Sequence, residues 1–294
     1  MLNLIVGIMT EGLIYSILAF GVYISLKILD FPDLSTDGTF PLGMAITTLC
    51  LLHGVNPYLC IIIAFAFGAA AGAVTGILNV KLKFKDLLCG IITMTALYSI
   101  NYTIVGKPNE FLSMDAQTVF SIIDRQSVLF PYRYLIVSAV LAIIFKILLD
   151  LYLSTKSGFL LRAAGDNENL IVTLAKNPGR VKILGLAIAN GFIAVSGCIY
   201  LQYIKSFNVA AGTGTLVVGL AAVIIGTSIF AKFRIVKPTT GVIVGMIIYK
   251  ACISIAMLLG LQSKDTNLVV SLLFVITLVI SSRKRSGKAG EINA

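Results

Sequence analysis

Residues 56–80 read Asn56-Pro-Tyr-Leu-Cys-Ile-Ile-Ile-Ala-Phe-Ala-Phe-Gly-Ala-Ala-Ala-Gly-Ala-Val-Thr-Gly-Ile-Leu-Asn-Val80, with no charged side chain among them. A helix needs about 20 apolar residues to cross a hydrocarbon core about 30 Å thick, and this run exceeds that. Comparable apolar runs recur near 3–27, 87–105, 133–153, 182–204, 215–231, 238–260 and 267–282. A shorter segment, 38–53, is richer in Gly, Pro and Thr and forms a candidate ninth. Strands are disfavoured, because membrane barrels alternate apolar and polar residues and these runs do not. The expected fold is therefore an all-α polytopic membrane protein with 8–9 transmembrane helices, one of them broken or short near 31–53. A single transmembrane domain spans 1–282, with a cytoplasmic loop at 154–181 and a basic cytoplasmic tail at 283–294.

Composition agrees. Of the 294 residues 58% are hydrophobic and only 12% charged, and the mean hydropathy is +0.98. Soluble domains carry about 25% charged residues, so this chain cannot cover a folded surface with polar groups. The net charge of +10 does not imply nucleic acid, since basic residues gather in cytoplasmic loops of membrane proteins. Lys81, Lys83 and Lys85 form one cluster, and Lys156, Arg162, Lys176, Arg180 and Lys182 a second. Lys232, Arg234 and Lys237 form a third, and Arg283, Lys284, Arg285 and Lys288 the tail. With nine crossings all four fall on one side, which places the C-terminus in the cytoplasm and the N-terminus outside. If 38–53 only dips in and returns, the N-terminus moves inside and the later topology stands.

Chemistry-bearing motifs are sparse. There is no phosphate-cradling G-x-x-x-x-G-K-[ST], no nucleophile elbow and no H-E-x-x-H. His53 is the single histidine and the five cysteines sit singly in apolar runs, so no catalytic residue, metal site or cofactor is expected. Ala64, Gly68, Gly72 and Gly76 recur every fourth residue and make a face for close backbone approach, within the subunit or between two copies. Glu11 and Lys250 lie inside apolar spans, where charges need a partner or a watery path, so an ion pair between them is expected, structural or transport-related.

Three connections stand out. Phe31-Pro-Asp-Leu-Ser-Thr-Asp-Gly-Thr-Phe-Pro41 cannot run as a continuous helix through both prolines. Asp37 or Thr36 is positioned to cap a short helix from Gly38. Such a break at membrane depth is tolerated where it is buried in protein or lines a cavity. A capped loop at the cytoplasmic surface is the alternative. In the cytoplasmic loop, Asp166 or Asn167 can cap a short helix over Asn169–Ala175 whose Leu170, Val172 and Leu174 give it an apolar face. That face lies on lipid or docks into a partner's groove. The external loop 106–132 carries a candidate short helix around Asp115–Ile122, and it meets a partner or covers the pore.

Gly158-Phe-Leu-Leu-Arg-Ala-Ala-Gly-Asp-Asn-Glu168 resembles the cytoplasmic coupling loop of ABC-importer permeases in the branched-chain amino acid permease family. The blocks at 189–203 and 212–226 look like the next two blocks of that family. The blocks at 33–43 and 106–109 are similar to its tryptophan/tyrosine-type uptake branch. The likeness covers about residues 5–282. It implies a permease without enzymatic activity of its own, in the plasma (inner) membrane of a bacterium. Its implied partners are membrane lipid, a second copy of itself, a cytosolic ATP-binding subunit and an extracytoplasmic substrate-binding lipoprotein. It further implies ATPase coupling through Arg162, Gly165, Asp166, Asn167, Glu168, Leu170 and Leu174, and a solute path near Asp33, Asp37 and Asn190. A self-contained ion-coupled secondary transporter is the alternative class.

Overall fold

A computed structural model of the chain describes residues 2–123, 127–166, 177–230 and 237–258, together with residues 271 and 275. Among the described residues the elements are helices α1 (Leu2–Val22), α2 (Thr36–Leu52), α3 (Pro57–Val80), α4 (Asp86–Val105), α5 (Arg133–Ser154), α6 (Lys156–Asp166), α7 (Pro178–Ile204), α8 (Thr215–Phe230) and α9 (Pro238–Leu258). Two short strands, β1 (Asn109–Phe111) and β2 (Ser206–Asn208), pair antiparallel with Glu110 opposite Phe207. Six helical spans are long and apolar enough to cross a membrane: Asn3–Ile28, Pro57–Val80, Asp86–Val105, Phe130–Ser154, Pro178–Ile204 and Pro238–Leu258. Helix α8 is apolar but shorter, and α2 also falls short of that length. The span expected at 267–282 lies outside the described residues.

Helices α1 and α7 form the centre. Ile14, Ile17, Leu18, Phe20 and Val22 of α1 and Leu186, Ile193, Val195 and Ile199 of α7 are fully buried. In lipid the hydrophobic effect does not separate one apolar helix from another, so close packing and internal hydrogen bonds must hold the bundle together. The stripe on α3 supplies that closeness. A Cβ placed on Gly68 would lie 2.6 Å from the Asn190 carbonyl oxygen, and one on Gly76 would lie 2.8 Å from Ile183 Cα. One on Gly72 would collide with the Leu186 carbonyl and lie 2.8 Å from Asn190 Cβ. The stripe thus packs α3 against α7 within one chain. Gly241 and Gly245 do the same for α9 against Gly226 of α8. The outer faces of α3, α4 and α5, with Ile62, Leu87 and Leu151, remain exposed and apolar.

Helix α1 does not simply stop. It continues as a π-helical turn, Tyr23–Ile28, and the chain is non-helical until Thr36. Asp30 adopts a left-handed conformation with φ 53°, and the Phe31 N–H reaches back to the Ser25 carbonyl at 2.8 Å. Helix α2 then begins beside Asn190, near the middle of α7, and runs parallel to it, with Gly43 packed on Ala194. Residues 31–41 do not run as one helix, as the two prolines lead one to expect, and Pro41 lies inside α2, within the segment 38–53 read from the sequence. Its missing N–H would have sought the Asp37 carbonyl, and the backbone of Gly212 packs against that oxygen and the Pro41 ring. Only a residue without a side chain fits there.

The loop 106–132 is stitched to the end of α7. Gly106 caps α4 in a left-handed conformation at φ 75°. Val119 N–H donates to Gln202 Oε1 at 2.8 Å, while Lys205 Nζ donates to the carbonyls of Ala116 (3.2 Å) and Met114. The helix expected at 115–122 is a short 3₁₀ turn, Val119–Ile122.

Candidate functional site

Two non-helical segments flank the first turn of α2 inside the bundle. One is 29–35 between α1 and α2, and the other is 209–214, which leads from β2 back to α8. Asp37, in that first turn, holds the second segment. Its Oδ2 accepts from Gly214 N–H at 2.9 Å, and its Oδ1 from Thr215 Oγ (3.0 Å) and Leu216 N–H (2.8 Å). A carboxylate at a helix N-terminus satisfies orphan donors and complements the helix dipole. The expectation that Asp37 or Thr36 caps α2 is corrected: α2 starts earlier, at Thr36, and Asp37 caps α8, distant in sequence.

Asp33 lies one turn back and is fully buried. Its Oδ1 accepts from Ser35 N–H at 2.9 Å and its Oδ2 from Asn190 Nδ2 at 2.7 Å. Asn190 Oδ1 accepts from Ser35 Oγ (3.1 Å) and Thr39 Oγ (2.7 Å), and its Nδ2 also donates to the Leu186 carbonyl. The three solute-path candidates therefore fall in one neighbourhood, with Asp33 and Asn190 in direct contact and Asp37 turned to α8.

Two cavities flank 209–215. The larger, about 430 Å³, lies between α1, α9 and the start of α8 and includes Glu11, Tyr15, Thr215 and Lys250. The smaller, about 280 Å³, is bounded by Asp37, Pro41, Tyr98, Asn101 and Thr213. Asn101 Nδ2 donates to the Gly38 carbonyl at 3.0 Å, while its buried Oδ1 has no partner among the described residues. The pair inferred from sequence is present: Lys250 Nζ lies 3.0 Å from Glu11 Oε2. Sequence reasoning missed the cation–π contact that Lys250 makes with Tyr15, 3.7 Å from its ring centroid. No pattern in the sequence announces it.

At the basic end, α6 packs along the ends of α1, α5 and α7. Leu161 is fully buried, and Gly165 sits tightly against the Ile28 carbonyl. Arg162 is exposed and lies 5.8 Å from the centroid of the exposed Phe159 ring. Asp166 is the last residue of α6. This helix precedes the one expected from the sequence, and its Gly158 and Gly165 hide it from a propensity reading. Asn167, Glu168, Leu170 and Leu174 lie outside the described residues.

Residues 4–281 match a family model described as branched-chain amino acid transport system / permease component. A tyrosine transport system permease protein of Clostridioides difficile is 42% identical over 297 aligned residues, covering 97% of this chain and 95% of that protein. The ribose import permease protein of Escherichia coli K12 is 25% identical, covering 95% of this chain and 83% of its own. A probable branched-chain amino acid transport permease protein of Methanocaldococcus jannaschii is 26% identical, covering 74% and 73%. No solved structure matches the chain.

Proposed function

The chain belongs to the family of branched-chain amino acid transport system permease components, and on that premise we propose its role. It is the membrane subunit of an ATP-binding-cassette importer in the plasma membrane of a bacterium. Two copies enclose the pathway, and the solute is an amino acid of the aromatic or branched-chain type, or a similar small molecule. The observation that carries this is likeness along nearly the whole of both chains to a tyrosine permease, at 42% identity against 25% for a ribose permease.

The geometry supports a conducting role. Polar residues and two helix breaks sit at mid-bundle next to cavities, where irregular backbone at membrane depth is expected to line a path. In this reading eight or nine segments cross the membrane, 267–282 among them, and the C-terminus is cytoplasmic. Asp37 borders the path directly, and Asp33 and Asn190 hold its wall.

Coupling to the ATPase runs through the loop that follows α5. Phe159 and Arg162 offer an exposed aromatic and cationic patch. Gly165 and Asp166 set the exit of α6, and Asn167, Glu168, Leu170 and Leu174 continue the docking surface. The extracytoplasmic binding lipoprotein docks at the opposite end, near 106–132.

Copurification tests the assembly. The chain is expected to elute with an ATPase subunit encoded beside it, two copies of each, with ATP hydrolysis stimulated by the liganded binding protein. An isolated chain that takes up solute under an ion gradient alone, with no ATPase bound, identifies a secondary carrier instead.

A further inference from the structure

We propose that the cavity beside Glu11 and Lys250 is a binding site for the zwitterionic head of a free α-amino acid, with the ammonium taken by Glu11 and the carboxylate by Lys250. This deepens the permease reading above and rests on it.

The cavity measures about 430 Å³, inside the span of about 300–1,000 Å³ common for small-molecule sites. Its polar groups converge from separate elements: Glu11 and Tyr15 from α1, Lys250 and Ser254 from α9, and Thr213 and Thr215 around the start of α8. Lys250 is largely enclosed, with 15% of its side chain exposed, whereas Glu11 is 38% exposed. Charges inside apolar helices are costly and mark solute or ion pathways. A pair needed only for packing has no use for an open cavity beside it.

The charges also select the solute. Separating Glu11 from Lys250 leaves a carboxylate and an ammonium that each need a counter-charge in a poorly solvated place. A zwitterion supplies both at once and adds no net charge. An amine leaves Lys250 unmatched, a carboxylic acid leaves Glu11 unmatched, and a sugar leaves both. Tyr15 faces Lys250 with its ring and can share a displaced cation.

The experiment uses the full permease–ATPase complex without its binding protein, with tritiated tyrosine, tryptophan, leucine and valine as probes in a scintillation proximity assay. Wild type is expected to bind at least one of them. Against that probe, the decarboxylated amine and the deaminated acid of the same side chain compete at least about 10-fold more weakly than the amino acid. Glu11→Gln and Lys250→Met each weaken binding by about 10-fold or more, as loss of a charged hydrogen bond implies. The exchange Glu11→Lys with Lys250→Glu keeps an ion pair but reverses its direction, and it is expected to assemble yet lose binding. Equal competition by amine and acid, or wild-type binding by the exchanged pair, overturns the site. If the exchanged pair does not assemble, the competition profile of wild type decides alone. A wild-type complex that imports amino acids under ATP once its binding protein is added back, yet binds none of the probes, overturns the site and leaves the permease reading standing. Absence of ATP-driven import with the binding protein added back overturns that reading itself.

Discussion

Replacing Asp37 tests how the first turn of α2 is held to the start of α8. Its carboxylate accepts three hydrogen bonds from the first turn of α8 and the residue before it, at 2.8–3.0 Å. In Asp37→Asn one oxygen can still receive Leu216 N–H and Thr215 Oγ, but an NH₂ group then faces Gly214 N–H. That orphaned donor costs about 1–3 kcal/mol, and trading a charged acceptor for a neutral one costs about 1 more. The expected loss is about 2–4 kcal/mol. Asp37→Ala orphans the Gly214 and Leu216 N–H groups, while the Thr215 hydroxyl keeps the Gly212 carbonyl at 2.9 Å; the expected loss is about 3–5 kcal/mol, because a cap residue, its charge on the helix dipole and the buried donors go together. Reversible unfolding of the purified chain in mixed detergent micelles, followed by circular dichroism, measures both. Losses under 0.5 kcal/mol, or Ala no worse than Asn, refute the cap and with it the link between the first turn of α2 and the start of α8.

Three further outcomes follow from the packing. Gly72→Ala is expected to cost about 1–3 kcal/mol by forcing α3 from α7, whereas Gly7→Ala, with nothing within 4 Å, is neutral or gains up to about 1 kcal/mol; equal melting temperatures for the two contradict this. Asn190→Leu strands the Ser35 hydroxyl and Oδ2 of the buried Asp33, while Thr39 keeps the Ser35 carbonyl, so the melting temperature falls well below wild type and expression drops. Phe159→Ala and Arg162→Ala leave the chain in the membrane but lower uptake per ATP hydrolysed by at least about 10-fold, as interface anchors of this type do. Unchanged coupling in both places the ATPase contact elsewhere.

Local pattern carried the architecture as far as local pattern reaches. Apolar length alone marks the crossing helices, because lipid demands that each span satisfy its backbone internally. Glu11 and Lys250 were pairable from sequence for the same reason: two charges in lipid have few places to go. The stripe from Ala64 to Gly76 named a packing face, though not α7 as its partner. The Asp37 cap on α8 was not legible. Asp37 sits at the start of a helix of its own and reads as that helix's cap, while its true partners lie about 177 residues away, brought near only by the bundle. The Asn190 network is hidden likewise, since a single Asn in an apolar run says nothing about three polar side chains from another segment. Helix α6 was missed because two glycines lower its propensity, and packing against Ile28 and Leu153 overrides them.

Uptake into proteoliposomes is the most direct measurement of the central claim. The permease, its ATPase and its binding lipoprotein are reconstituted, and labelled tyrosine, leucine and ribose are offered without any ion gradient. The account predicts accumulation of an amino acid, and not ribose, only when ATP and the binding protein are both present. Accumulation without ATP, or of ribose alone, contradicts it.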